Sequence, residues 1–497
     1  MGRKPNKTKQ VGTMALRIAV VCALVAVSLT FASQLQAQGF SDRELILKTV
    51  DYKLDLKIDY ENEKILGSCQ LTVFNPSEQP IRQIPLTLYR LLKVTSVKDE
   101  RGADLSFTQQ VLSFEDWEQL QVNYADVSLK NPIQQGERKT INIQYEGYLL
   151  GYSETGMRYV KDRVDEEFTI IRPDCKAYPE VGYPSWRVTR AAGLQSFDYL
   201  ITVTVPDSLV VANGGKLVGR VSNNGLVTYS YQNIKPAWRI DIAIAQYGIL
   251  EDKVNKLKVF HFQEDKEGAQ RVLDAMRKTM ELFTDWFGAL RDYQGFAVIE
   301  IPEGFGSQTD VTCIIQTQSA FKSKAQLYQL YHEISHLWDV KPRDPLPSRF
   351  ESEGLAMFLQ YLAQEKLEHK KGALEKGAQR LRESFRQKCQ KNPKCRDVPV
   401  IDYGKEMLTD LSYSKGMILF YVLYNLVEED EFFKTIGTFY QKYNQTGAST
   451  DDFVNHAREV SPVDLTKFFE EWVYGTQSSQ YIINGTPIEE IIKKYHQ

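Results

Sequence analysis

Tyr331-His332-Glu333-Ile334-Ser335-His336 is followed, after Pro342, Pro345 and Pro347, by Phe350-Glu351-Ser352-Glu353-Gly354-Leu355-Ala356-Met357. The first stretch lies in a segment, 325–338, whose periodicity predicts a helix. Residues four apart project from the same helix face, so His332 and His336 can reach one cation while Glu333, one step round, faces the position of an attacking water. Two imidazoles do not complete an open catalytic zinc site, which needs a third protein ligand. Glu353 is the candidate, at the start of an apolar helix that the prolines allow to return antiparallel to the first. Glu351 competes for that role, its simpler use being an acidic charge at a helix start.

On the N-terminal side, the 80 or so residues before the His-Glu-x-x-His stretch mix strand and helix. Residues 259–262 and 296–301 are strand-like, and 269–287 has helical period. Beyond 327 the pattern is helical almost throughout, over 354–367, 373–388, 413–427 and 451–460. Before about 250 it alternates with a period of two, as in Tyr52-Lys-Leu-Asp-Leu-Lys-Ile58, with Asn213-Gly214 and Asn224-Gly225 as turn signals. The fold expected is therefore multidomain. An N-terminal antiparallel β-sandwich or saddle spans 42–250, an α+β unit spans 251–475 and is helical from about 325, and 476–497 forms a C-terminal tail.

The chain has 497 residues, 42% hydrophobic and 25% charged, enough apolar content for several packed cores and too little net charge for a disordered tail. Its 61 basic and 64 acidic residues are mixed, which gives no basic stripe of the kind that tracks a phosphate backbone. Nucleic acid is thus not an expected partner. Arg3, Lys4, Lys7, Lys9 and Arg17 precede an apolar run over 18–32, shorter than the ~20 residues that span a bilayer, so 1–37 reads as a signal peptide or, alternatively, an N-terminal anchor. Either places the rest of the chain outside the cytoplasm, as a periplasmic, extracellular or membrane-anchored protein. Cys389 and Cys395 flank a short Lys-rich stretch, and such a spacing fits a local disulfide in an oxidising compartment or, alternatively, two free thiols.

His332-Glu-x-x-His336 with Ser352-Glu353-Gly354-Leu355-Ala356 resembles the gluzincin metallopeptidases of the aminopeptidase N and leukotriene hydrolase group. That family has eighteen residues between the second His and the Glu; here there are sixteen. Ser412-Tyr413-Ser414-Lys415-Gly416 is similar to the family's Tyr-x-Lys-Gly segment, whose tyrosine stabilises an oxyanion. The resemblance implies a thermolysin-like α+β catalytic domain holding one Zn2+ through His332, His336 and Glu353. It further implies peptide hydrolysis by a metal-activated water, with Glu333 as general base and Tyr413 as oxyanion donor. One departure concerns substrate choice. Family exopeptidases carry Gly-x-Met-Glu-Asn, whose Glu grips the free amine of the substrate; in Gly304-Phe-Gly-Ser307-Gln308 a serine takes that place, with Glu303 and Asp310 as candidate replacements. Aminopeptidase-like action, endopeptidase action, hydrolysis of a non-peptide such as an epoxide, and an inactive extracytoplasmic scaffold all remain open. Asp339 is a candidate partner behind a ligand histidine, or a solvated charge. The strand expected over 311–315 is a candidate for pairing with an extended peptide.

Overall fold

A computed structural model describes residues 39–192 and 195–495. The expected signal or anchor segment, 1–37, lies outside the described residues. Among them, no helix is long and apolar enough to cross a membrane.

The first half is two β-layers on one core. A seven-stranded sheet runs in the order Lys216–Asn223, Leu226–Gln232, Asp198–Pro206, Lys48–Asp59, Lys64–Phe74, Arg138–Gly147 and Leu92–Asp99. Period-two alternation decides which face is buried: Tyr52, Leu54, Leu56 and Ile58 point inward beside Ile65, Cys69 and Leu71 of the neighbouring strand. A four-stranded sheet built on Trp117–Ile133 and Ile81–Tyr89 contributes Leu86, Leu88, Val122 and Val127 to the same core. All neighbours in the large sheet are antiparallel except Lys48–Asp59 and Asp198–Pro206, which pair in parallel. The expectation of an antiparallel sandwich therefore holds apart from that one pair, whose connection crosses the other layer.

The second unit begins with a five-stranded sheet ordered Tyr247–Asp252, Leu257–Phe262, Phe296–Ile301, Cys313–Thr317, Gln308–Asp310. Its first strand starts at Tyr247, so the division expected at 250 falls inside a strand. The 22-residue helix Lys266–Phe287 covers this sheet with Val272, Met276, Phe283 and Phe287. A small sheet of Thr169–Ile171, Val210–Ala212 and Ile242–Ala245 shares a further core with it, through Ile170, Ala243, Ile299 and Ile315. The helices Leu355–Glu368, Ala373–Lys391, Asp410–Val427, Glu429–Tyr443 and Thr450–Val460 then build the C-terminal half. Residues 476–497, expected as a tail, include two short helices whose Ile482, Ile488 and Ile491 are buried in that helical core.

One close approach matters for the site. Helix Asp410–Val427 crosses the π-helical turn Phe350–Gly354 through two glycines. A Cβ added at Gly416 would lie 2.8 Å from the Gly354 Cα and 3.1 Å from the Phe350 Cβ. Backbone cannot yield there as a side chain can, so Gly416→Ala is expected to destabilise the protein by about 2 kcal/mol. The denaturant midpoint of the variant checks this; an unchanged midpoint would show that the crossing has slack.

Candidate metal centre and catalytic site

His332 and His336 emerge from the end of helix Tyr328–Ser335, and Glu353 from the π-helical turn that faces it. The ligand atoms of these three residues all lie within 4.8 Å of one another. Glu353 Oε2 is 3.4 Å from His332 Nε2 and 3.7 Å from His336 Nε2, so one carboxylate oxygen and two imidazole nitrogens converge on one point. Glu351 is turned away, its Oε1 accepting a 2.6 Å hydrogen bond from Thr450 Oγ1, which removes it as a competitor for the third position.

The surroundings fit a cation. Asp339 Oδ2 lies 2.9 Å from His336 Nδ1, the arrangement that fixes a proton on Nδ1 and leaves the Nε2 lone pair free. Burial alone would lower the pKa of His336, but Asp339, Glu353 and Glu333 outweigh it and raise it to about 10. That excess of carboxylate is what a divalent ion would answer, and a His, His, Glu donor set with room for a fourth ligand suits one zinc ion. Burial likewise opposes the charged form of Glu353, yet the Arg349 guanidinium, bonded to Oε1, and the two histidines hold its carboxyl well below the usual range. Glu353 thus presents one oxygen to Arg349 and the other to the histidines.

Two further groups border this point. Glu333 accepts a 2.5 Å hydrogen bond at Oε2 from Thr309 Oγ1, which also donates to the Glu333 carbonyl at 3.2 Å. Tyr413, on helix Asp410–Val427, lays its ring parallel to that of His332 with centroids 6.4 Å apart. Burial first, and then the Glu353 charge, push its hydroxyl pKa far above the usual tyrosine value, so it keeps its proton and can donate it.

The stretch before the zinc helix is used otherwise than expected. Ser307 Oγ accepts from Gln316 Nε2 at 2.9 Å and from the Thr317 N–H at 3.1 Å, which ties it into the sheet. Glu303 accepts from the Ser319 N–H at the start of a short helix, and Asp310 is buried with Asp241 and Arg239 as its charged neighbours. Glu303 thus spends one oxygen on the backbone, whereas Asp310, though buried, keeps its Oδ1 without a hydrogen-bond partner. Cys313–Thr317 is an interior strand, since Gln308–Asp310 folds back antiparallel beside it. The edge able to take an extended peptide is therefore 308–310, not 311–315. Its Gln308 is locked into a buried ionic cluster, donating to Asp174 Oδ1 at 2.7 Å and accepting from Arg239 Nη2 at 2.7 Å. In the same cluster Arg172, fully buried, grips Asp162 with two bonds of 2.9 Å and donates to the Phe305 carbonyl at 3.1 Å. The aromatic stretch from Tyr178 to Trp186 lines a cavity of about 210 Å3 together with Tyr52, Trp238 and Arg239.

Sequence reasoning passes over Thr309 and Arg349. Thr309 lies 24 residues from Glu333 and carries no motif, and Arg349 looks like an ordinary loop cation among prolines.

Comparison with known proteins agrees with this geometry. Residues 305–472 match the Peptidase family M1 domain. The match takes in the zinc-ligand candidates, Glu333 and Tyr413. Over 89% of this chain and 95% of its own, the fold is similar to that of an M1 zinc metallopeptidase mutant from Deinococcus radiodurans bound to a Tyr-Ser-Ala substrate, with a TM-score of 0.61 and 15% identity. Another structure of an M1 zinc metallopeptidase from Deinococcus radiodurans has a TM-score of 0.60 at 15% identity, over 88% of this chain and 94% of that one. A two-domain M1 zinc metallopeptidase mutant bound to L-arginine is similar to the same degree, with a TM-score of 0.60 at 14% identity over 88% and 94%. At such identities the likeness establishes the fold. No curated protein matches the chain.

Proposed function

We propose that this protein is a zinc-dependent peptidase acting outside the cytoplasm, with His332, His336 and Glu353 holding one zinc ion, Glu333 as general base and Tyr413 as oxyanion donor. The observation that carries the reading is the convergence of two imidazoles and one carboxylate on a single point, with Glu333 and Tyr413 beside it, within a stretch that matches the Peptidase family M1 domain. When bound, zinc supplies a Lewis acid that acidifies water and polarises a carbonyl.

The side chains of this chain do the rest. The Glu333 carboxylate, held by Thr309, takes the proton of the attacking water and returns it to the leaving amine. The protonated Tyr413 hydroxyl donates to the oxygen on which charge develops. Asp339 keeps His336 in the tautomer whose Nε2 faces inward. The free edge of Gln308–Asp310 offers backbone groups to an extended peptide, so that its carbonyl arrives beside Glu333.

Export is supported by the Cys389–Cys395 disulfide and by the basic-then-apolar N-terminal sequence. Support for strict aminopeptidase action is thinner, because a serine stands at the amine-gripping position and is tied into the sheet, Glu303 accepts from the Ser319 N–H, and Asp310 is buried. Endopeptidase action at the same site is the second reading, and the free backbone edge of Gln308–Asp310 favours it, because strand pairing requires no anchor for a terminal amine.

A zinc determination paired with cleavage of one peptide, offered with a free and with an acetylated N-terminus, separates these readings. One zinc per chain with cleavage of the free peptide alone means an aminopeptidase with an anchor elsewhere. Cleavage of both means an endopeptidase, and absence of both zinc and cleavage means a scaffold.

A further inference from the structure

Arg190 comes to the site from the opposite half of the molecule. It belongs to the short helix Trp186–Ala192, whose start is fastened by Asp116: Oδ1 accepts from the Trp186 N–H at 2.6 Å and Oδ2 from the Arg187 N–H at 2.8 Å. The Trp186 ring meets Trp117 edge-on at 5.1 Å, which fixes the helix further. From this mount Arg190 Nη1 donates to the buried Thr409 Oγ1 at 2.7 Å. Thr409 stands immediately before helix Asp410–Val427 and one turn before Tyr413, about 6 Å along the axis.

A cation is the wrong charge for that place. The N-terminus of an 18-residue helix carries positive partial charge, which favours acidic neighbours. Arg349 brings a second guanidinium to the same region. Among the described residues no carboxylate lies within salt-bridge distance of Arg190, and the hydrogen bond it donates goes to a neutral hydroxyl. Arg349 spends part of its donor set on Glu353 and keeps a side chain 37% exposed, with five donors to distribute. Burial and the Arg349 charge both work against protonated Arg190, with Asp410, Tyr413 and Glu353 compensating in part. A tie between the two halves of the protein would be made as well by a neutral amide, without this repulsion.

We propose that Arg190, together with Arg349, forms an anion subsite one helical turn from Tyr413 that takes a carboxylate of the substrate. The inference rests on the peptidase reading above and narrows it to peptides carrying a negative charge within one or two residues of the scissile bond, since an extended chain advances about 3.3 Å per residue. That charge is either the C-terminal carboxylate of a short peptide or an acidic side chain. Guanidinium and carboxylate match in a planar, two-bond geometry that an ammonium does not reproduce.

Binding separates this proposal from turnover. Calorimetry on the zinc-loaded Glu333→Gln protein would compare a tripeptide ending in a free carboxylate with its C-terminal amide, and a longer amide-ended peptide carrying Glu with its Gln counterpart. Preference by about tenfold for the charged member of either pair is expected, and the pair that shows it tells which source of carboxylate is used. Adding Arg190→Gln should bring that ratio close to one while zinc content stays constant. Equal binding of charged and neutral peptides, no binding of any of them, or a ratio that survives Arg190→Gln would overturn the subsite. Failure of the peptidase reading would show separately, as zinc-loaded wild-type protein that binds these peptides and cleaves none.

Discussion

Glu333→Gln protein should keep one zinc per chain and lose turnover by roughly 10²–10⁴-fold, the range over which a positioned acid-base group contributes to rate. Glutamine is nearly isosteric with glutamate, and its carbonyl oxygen can still accept the bond from Thr309 Oγ1. What it lacks is basicity: an amide neither takes the proton of the attacking water nor hands it to the departing amine. Because the ligand set proposed for zinc does not include Glu333, the metal should remain. Measuring zinc and kcat on one preparation decides the point. An active Glu333→Gln protein would remove Glu333 from the chemistry, and a zinc-free one would make it a ligand.

His332→Ala should fail in the other order. It removes one of the three groups that converge within 4.8 Å, leaving an imidazole and a carboxylate that no longer enclose a tetrahedral site. Zinc affinity should fall by more than about 100-fold, the upper end of the loss caused by removing only a partner behind a ligand. Turnover should fall with it, and saturating zinc should restore little, since two ligands cannot fix the orientation of a water beside Glu333. Competition with a chelator gives the affinity; an affinity within a few-fold of wild type would mean that His332 is not a ligand.

The part of this site that can be read in the sequence is the part made by short-range geometry. His332, Glu333 and His336 are placed by one helical turn, and Asp339 by the next residues of the same segment. Glu353 is legible as the start of an apolar helix, although its spacing from His336 is two residues shorter than in the family it resembles. The return segment reaches it through a left-handed residue, Arg349 at φ 71°, and a π-helical turn, neither of which periodicity reveals. Thr309 and Arg190 are not legible, because they act across 24 and 219 residues respectively and neither belongs to a motif. The same holds for the fold. Alternation locates the strands, but which strand forms the edge near Glu333 depends on whether 308–310 folds back beside 313–317, and a three-residue strand leaves too little pattern to say.

The buried cluster around Arg172 and Arg239 has a consequence for how the molecule can be divided. Gln308 and the Phe305 carbonyl come from the edge strand of the five-stranded sheet and the loop before it, whereas both guanidiniums and Asp162, Asp174 and Asp241 come from the segment that precedes the sheet. Neither partner satisfies its polar atoms without the other. A protease nick that released the sheet over 296–317 from the segment before it would uncover these charges and loosen the strand beside Glu333 in the same event. Limited digestion should therefore not trim this protein to a smaller working peptidase, and heat should extinguish catalysis and the β-sheet signal together.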